Sequence, residues 1–283
     1  MINFLRSAFA DEYASDFIKQ LEELNRLNIG YIELRCVDGK NVSELDRVEV
    51  KTLKNKLKDF GVKVSSIGSP IGKIKLNGDL RGHFKMAERV FETAAEVGAK
   101  CVRIFSFYLP DGKPREEVKN EVFDNLSEFV KLSEVYGVTP CHENEALIYG
   151  ESPEKCKEIL DCFGGKIKCV FDMGNFVLDG YDPFKAYKSL YESIEYFHIK
   201  DALYAGAIVP AGKGEADIEK ILRDYKAVGK KDAFVTLEPH LQTFSGLNAL
   251  VGKSFDNPYK YNGQEEAFED ANEKFTEILN KIK

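Results

Sequence analysis

Short apolar runs alternate with longer amphipathic stretches along the whole chain. In the amphipathic stretches the apolar residues recur three or four positions apart, as they do on the buried face of a helix; Phe17, Leu21 and Leu24 form one such stripe. The apolar runs are too short for helices and are rich in Val, Ile and Phe, which favours strands. The eight runs are Asn3–Ala8, Tyr31–Arg35, Val62–Ile67, Lys100–Phe105, Val138–Glu143, Ile167–Asp172, Ile194–His198 and Ala233–Glu238.

Residues that begin and end helices lie between these runs. Ser152-Pro153 and Asp182-Pro183 each place a capping residue before a proline, which is typical of a helix start. Strands that alternate with helices are expected to be parallel and joined by right-handed crossovers. Eight such units in 283 residues favour a closed barrel, and no glycine-rich phosphate loop follows the first run to support a Rossmann sheet. We therefore predict one α/β domain over residues 1–283, a (β/α)8 TIM barrel.

The composition narrows the classes of partner. The chain is 43% hydrophobic and 31% charged, as soluble globular proteins are, and its net charge of -7 argues against a nucleic-acid partner. No apolar run is long enough to span a membrane, and Asp11 and Glu12 interrupt the amino-terminal segment too early for a secretory signal. The six cysteines show no CxxC spacing, so we expect buried free thiols. These features predict a cytoplasmic protein.

Four residues lie at the carboxyl ends of four successive runs: Glu143, Asp172, His198 and Glu238. Each alone is more often a solvated or structural residue, but the carboxyl ends of barrel strands meet at one rim, where TIM barrels build active sites. Three carboxylates and one imidazole suit a hard divalent ion, whereas structural zinc prefers Cys and His. We predict one divalent metal ion bound by these four side chains, with Mn²⁺ favoured over Mg²⁺ or Co²⁺.

Cationic residues at other run ends are expected to offset the charge of the three carboxylates. Arg35 and Arg103 either clamp a phosphate or carboxylate of the substrate or form salt bridges at the barrel rim. Lys200 follows one predicted ligand closely, and His240 is expected to point towards the mouth, where it contacts substrate or supports a ligand. The irregular segment 241–263 is predicted to be a long loop over this mouth.

Seven sequence motifs resemble one known superfamily. They are CHENEALIYGES, VFDMGNF, FHIKD and LEPH at the last four runs, with YIELRCVDGKN, SSIGSPIGKI and VRIFSFY at earlier ones. They are similar to the xylose-isomerase-like TIM barrels, the sugar isomerase and epimerase branch that is related to endonuclease IV. The resemblance implies that Glu143 and Glu238 move protons on opposite faces of the substrate. Asn175 stands where many relatives have a His, so it is expected to contact the sugar but to do no acid/base work.

Endonuclease IV itself is a poor match. Its three-zinc cluster needs additional histidines, but this chain has Asn175 at one such place, and 206–208 occupies the region of another zinc-binding motif. His83 is the sole early histidine. A DNA-repair function is therefore disfavoured.

The sequence as a whole predicts a metal-dependent isomerase or epimerase of a ketose, keto-sugar or sugar phosphate. Glu143 or Glu238 would remove a proton next to the substrate carbonyl, and an ene-diolate would follow. Two alternatives stay open: a dehydratase of an inosose-like cyclic polyol, and a non-catalytic sugar-binding barrel. The resemblance also suggests a homo-oligomer. The predicted substrate-binding residues are Arg35, Arg103, Asn175, Lys200 and His240.

Overall fold

The computed structural model describes residues 2–229, 231–242 and 258–282. Most of the loop that we predicted over the barrel mouth, residues 243–257, lies outside the described residues. No helix in the described ranges is long and apolar enough to cross a membrane.

Eight parallel strands close into a barrel in the order β1-β8-β7-β6-β5-β4-β3-β2. The strands are β1 (Phe4–Ala8), β2 (Tyr31–Leu34), β3 (Lys63–Ile67), β4 (Cys101–Ile104), β5 (Thr139–Glu143), β6 (Lys168–Asp172), β7 (Ile194–Ile199) and β8 (Ala233–Leu237). Seven of the eight predicted runs contain one of these strands in full, and the run Ile194–His198 ends one residue before β7 does, so the (β/α)8 barrel is confirmed. Arg35 and Glu238, placed at run ends, lie one residue past their strands.

Helices pack around the outside of the barrel. Those of the described residues are α1 (Phe17–Arg26), α2 (Arg47–Phe60), α3 (Leu80–Val97), α4 (Arg115–Tyr136), α5 (Pro153–Cys162), α6 (Met173–Leu178), α7 (Pro183–Leu190), α8 (Ile218–Val228) and α9 (Gln264–Lys281). The predicted caps are confirmed: the Ser152 and Asp182 side chains accept backbone N–H groups in the first turns of α5 and α7.

The apolar stripes of the helices face the barrel, as the spacing predicted. Phe17, Leu21 and Leu24 of α1 are fully buried and belong to one large core cluster between the helices and the strands. The expectation for the cysteines was partly wrong: all six are free thiols, but Cys36 is only half-buried and Cys162 is exposed. Cys162 lies in the last turn of α5, where its side chain faces solvent because the buried stripe of that helix is formed by other positions.

Candidate metal centre

The four predicted ligands meet inside the carboxyl end of the barrel. Glu143, Asp172, His198 and Glu238 are all buried, and one ligand atom from each lies within 4.8 Å of the others. His198 Nδ1 is at the centre, 2.9 Å from Glu143 Oε1, 3.0 Å from Glu238 Oε2 and 4.0 Å from Asp172 Oδ2. The cluster can hold a divalent ion.

Strand register explains why the sequence brings these side chains together. Asp172 of β6 is paired with His198 of β7, and His198 is in turn paired with Thr236 of β8. Residues two positions apart point to the same side of a strand. Glu238, two residues beyond Thr236, is therefore directed to the same interior face as His198, one layer nearer the mouth.

The imidazole of His198 is oriented by a residue on the other side of its ring. Its Nε2 lies 3.2 Å from Glu33 Oε2, and the hydroxyl of Tyr196 donates to Glu33 Oε1 at 2.9 Å. A carboxylate that holds the far nitrogen of a ligand histidine fixes the ring and its tautomer. Glu33 thus presents Nδ1 of His198 to the three carboxylates.

Arg35 is completely buried and forms ion pairs with three carboxylates. Its Nε lies 2.8 Å from Asp11 Oδ2, and its Nη2 lies 3.1 Å from Glu12 Oε1. Its Nη1 lies 3.2 Å from Glu238 Oε1. Of the two roles open from sequence, the structure shows the salt bridge, and contact with substrate stays a prediction.

Arg103 links two of the predicted ligands in a similar way. Its Nη1 lies 3.2 Å from Glu143 Oε2 and 3.5 Å from Glu238 Oε1, and its Nη2 donates to the Gly68 carbonyl at 3.1 Å. The guanidinium carbons of Arg35 and Arg103 lie 4.3 Å and 5.1 Å from the centre of the Phe9 ring. Phe9 therefore separates and positions the two cations.

Lys200 and Asn175 form a second group of contacts on the Asp172 side. Lys200 Nζ donates to Asp172 Oδ2 at 2.7 Å and to Asn175 Oδ1 at 3.1 Å, and it lies 3.3 Å from Glu238 Oε2. The Asn175 side chain also donates to the Asn144 carbonyl at 2.9 Å. Both ends of the Asn175 amide therefore hold protein groups, and its role as a sugar contact stays a prediction.

His240 turns towards the same site. Its φ of +49° lies in the left-handed region that non-glycine residues seldom adopt. Its backbone N–H donates to Glu12 Oε2 at 2.8 Å, and its Nε2 lies 3.4 Å from Glu238 Oε1. The contact with Glu238 agrees with a supporting role, while contact with substrate stays a prediction.

Sequence reasoning missed Asp11 and Glu12 as members of this site. They lie in the short turn Ala10–Glu12 after β1, beyond the end of the apolar run, so no strand-end signal marks them. Both are about 5% exposed. Burial raises the pKa of the Glu12 carboxyl to about 8, although Arg35 opposes the shift.

The pKa values of the four predicted ligands are shifted by burial and by neighbouring charges. Burial raises the pKa of Glu143, but His198 and Arg103 outweigh it and lower that pKa to about 2. Burial raises the pKa of Glu238 as well, but Lys200 and His198 outweigh it and hold that pKa well below its usual range. The pKa of Asp172 is about 7, because burial and the other carboxylates outweigh Lys200. Burial lowers the pKa of His198, yet Glu143 and its other carboxylate neighbours raise it well above 6.5.

The donor set fits a divalent ion. Glu143 Oε2 and Glu238 Oε2 are buried and accept no hydrogen bond from any described residue. Arg103 Nη1 lies 3.2 Å from the first oxygen and Lys200 Nζ lies 3.3 Å from the second, but neither contact is an aligned hydrogen bond, so both oxygens keep lone pairs that a metal ion can accept. Three carboxylates and one imidazole nitrogen match the ligands that Mn²⁺, Mg²⁺ and Co²⁺ accept. A bound ion would displace the proton of the His198 imidazolium, because a histidine must be neutral to act as a ligand.

Comparison with known proteins identifies the family. The sequence model of the xylose isomerase-like TIM barrel family matches residues 21–256. The chain belongs to this family. The family resemblance predicted from the motifs is therefore confirmed. A search of curated proteins gives no match for this xylose isomerase-like barrel.

Several solved structures share the fold. A D-tagatose 3-epimerase-like protein is 16% identical with a TM-score of 0.76, and the match covers 99% of this chain and 98% of that one. The IOLI protein with a bound zinc atom is 19% identical with a TM-score of 0.75, and 99% of each chain is covered. The probable 3-DHS dehydratase AsbF from Bacillus anthracis is 15% identical with a TM-score of 0.71, again over 99% of each chain. At these identities the likeness shows the fold alone.

Proposed function

We propose that this xylose isomerase-like barrel is a divalent-metal-dependent isomerase or epimerase that acts on a small-molecule ketose or keto-sugar. The observation that carries the proposal is the pair Glu143 and Glu238. Both carboxylates contact Nδ1 of His198, and each keeps one buried oxygen without a hydrogen bond among the described residues. Family membership supports the proposal, as does the shared fold of an L-ribulose 3-epimerase.

Glu143 and Glu238 are the groups that remove a proton from the substrate and return one to it. A bound divalent ion would supply a positive centre that polarises the substrate carbonyl and acidifies the neighbouring C–H. Glu143 or Glu238 removes that proton, which leaves an ene-diolate. Return of a proton by the other glutamate to the opposite face gives the epimer, and return by the same glutamate to the adjacent carbon gives the isomer. The pKa of each carboxyl is below its usual range, so both are ionised at neutral pH and either can act as the base. The glutamate that returns a proton to the opposite face must therefore first take one up from solvent.

The cations of the site favour an uncharged sugar over a sugar phosphate. Arg35 and Arg103 already form ion pairs with the buried carboxylates, and Lys200 forms one with Asp172. Lys73, nearer the mouth, is paired with Glu145 at 2.9 Å. A phosphate would have to compete for cations that these carboxylates hold, and breaking a buried pair is costly.

Manganese is the proposed ion, with magnesium or cobalt as alternatives. Oxygen-rich sites with one imidazole suit all three. Among structures that share the fold, a xylose isomerase-like protein from Mycobacterium smegmatis is in complex with magnesium, and the IOLI protein holds zinc. Elemental analysis of the purified protein identifies the ion.

A dehydratase of an inosose-like cyclic polyol is the second candidate, favoured by the shared fold of the probable 3-DHS dehydratase AsbF. A dehydratase begins with the same proton removal but must also protonate a departing hydroxyl, for which Lys200 and His240 are the candidates. Lys200 already donates to Asp172 and Asn175, which makes the epimerase the better proposal. An enone product that absorbs in the ultraviolet would favour the dehydratase.

The test compares wild type with Glu238→Gln and with Glu134→Gln, an exposed glutamate that serves as the matched control. Metal content is measured first, and then Mn²⁺-loaded protein is incubated with ketoses and inososes in D₂O and followed by NMR. We expect one ion per chain and deuterium in the substrate for wild type and Glu134→Gln only.

Two results would count against the proposal. Absence of bound metal after supplementation would exclude the four-ligand site. Saturable sugar binding without deuterium exchange in metal-loaded wild type would instead identify a non-catalytic sugar-binding barrel.

A further inference from the structure

A second cavity opens at the other end of the barrel, where the strands begin. Its volume is about 820 Å³. Its lining includes Tyr31, the first residue of β2, and Lys63, the first residue of β3, together with Phe234 of β8. The candidate metal centre lies at the carboxyl ends of the same strands. This basal cavity is therefore separate from the site described above.

The floor of the basal cavity is aromatic and apolar. The Tyr31 and Phe234 rings lie 4.8 Å apart between centroids, at an angle of 67°, and both are half-buried. Leu5 and Val64 also line the cavity. An edge-to-face aromatic pair that is partly open to solvent offers a surface on which another flat ring can pack.

The rim of the basal cavity is cationic. Lys54 and Lys58 of α2, Lys63 of β3 and Lys100 before β4 all line it. All four are exposed, and none forms an ion pair with a residue in the described ranges. In a chain with a net charge of -7, this concentration of unpaired positive charge is a local exception.

The two acidic residues in the lining, Glu195 and Asp232, offset the four lysines only in part. Glu195 forms an ion pair with Lys231, and Asp232 accepts the backbone N–H of Asn3 at 2.7 Å. Four lysines face two carboxylates, one of which is already paired, so the rim keeps a net positive charge above the apolar floor. Such a combination is complementary to an anion that carries a flat apolar group.

We propose that the basal cavity binds a small organic phosphate that carries an aromatic ring, the chemistry of a nucleoside phosphate. Lysine ammonium groups bind phosphate as compact point charges. The ring would pack on Tyr31 and Phe234 while the phosphates lie among the lysines. The cavity volume is in the range of about 300–1,000 Å³ that is usual for small-molecule sites. Since TIM barrels carry out chemistry at the opposite end, a ligand here acts as an effector and not as a substrate.

The test uses ADP as the probe and isothermal titration calorimetry as the measurement. The variant Lys58→Gln/Lys63→Gln removes two rim charges, and Lys19→Gln/Lys51→Gln removes two exposed charges that do not line the cavity. We expect ADP to bind about tenfold more weakly to the rim variant and with unchanged affinity to the control, with the difference shrinking as salt is raised. Thermal melts of the unliganded variants check that both fold as wild type does.

Further arms test the two parts of the proposed ligand. Adenosine alone and inorganic phosphate alone should each bind more weakly than ADP, because each uses only the floor or only the rim. Equal binding of ADP by the two double variants, phosphate binding as tight as that of ADP, or no saturable ADP binding would each overturn the proposal. ADP titration of Glu238→Gln should match wild type, so the outcome does not depend on the function proposed for the metal centre.

Discussion

Glu33 Oε2 lies 3.2 Å from His198 Nε2, on the side of the imidazole ring that faces away from the Glu143 and Glu238 carboxylates. When the neutral imidazole carries its hydrogen on Nε2 and donates it to Glu33, the lone pair of Nδ1 is available to a metal ion. This contact also restricts rotation of the ring, so the nitrogen is held where the carboxylate oxygens converge. The glutamate is thus a positioning residue for the proposed centre, although it contributes no ligand atom to the cluster.

Glu33→Gln should weaken metal binding by about 10- to 100-fold, the usual effect of losing such a partner of a ligand histidine. The amide keeps the size of the side chain but removes its charge. Tyr196→Phe is the matched control, because it removes the other hydrogen bond to Glu33 and leaves the carboxylate on His198. Competition with a chelator measures both affinities, and wild-type affinity in Glu33→Gln would contradict the positioning role.

The position of the candidate metal centre could be predicted because one rule places all four residues. The carboxyl ends of parallel barrel strands meet at a single rim, so a polar residue at the end of each of several apolar runs must approach the others. Glu143 and Asp172 end their strands, and His198 lies one residue from the end of its own. The pattern of apolar runs therefore predicts that these side chains lie close together in the folded protein.

The surroundings of Arg35 could not be predicted in the same way. Its partners Asp11 and Glu12 lie in a short turn whose path depends on how the β1–α1 connection packs into the barrel mouth. No periodicity of apolar residues extends into that turn. The sequence therefore left two roles open for Arg35, and only its contacts show which carboxylates it holds.

Arg35→Met should destabilise the protein by about 3–5 kcal/mol, because it leaves the buried Asp11 and Glu238 carboxylates and the Glu12 carboxyl without their shared cation. Arg47→Met is the matched control: Arg47 pairs with Glu92 at the surface and is 88% exposed, so its loss should cost less than about 1 kcal/mol. Urea unfolding of both variants gives the comparison. Similar losses of unfolding free energy in the two variants would show that the buried Arg35 ion pairs contribute no more to stability than an exposed one.

Gly68→Ala should also be destabilising, by about 1–3 kcal/mol, because a methyl group there would lie 2.3 Å from Phe9 Cε1. Phe9 has little room to move, since Arg35 and Arg103 both pack on its ring. Gly30→Ala is the control, because nothing lies within 4 Å of the added carbon. Thermal melts should show a lower Tm for Gly68→Ala alone. An unchanged Tm would mean that the Phe9 ring shifts to make room for the methyl group without loss of stability.

Because of the buried His142, we expect the folded protein to lose stability in mild acid. The Gly150 N–H donates to Ser106 Oγ at 2.7 Å, so the Ser106 hydroxyl can donate to His142 Nε2, 3.0 Å away, which requires a neutral imidazole. Burial lowers the pKa of His142 from 6.5 to about 4. Between these values the unfolded chain binds a proton that the folded protein does not, so stability present above pH 6.5 is lost as the pH falls towards 4.

The loss attributable to His142 should be about 2–3 kcal/mol between pH 7 and pH 4.5. Urea unfolding at the two pH values measures it in wild type and in His142→Gln, whose amide does not titrate. The variant should be less stable at pH 7 but should lose less on acidification. Some pH dependence should remain, because burial also lowers the pKa of His83 to about 4. An equal loss in both proteins would mean that the His142 imidazole accepts a proton without unfolding.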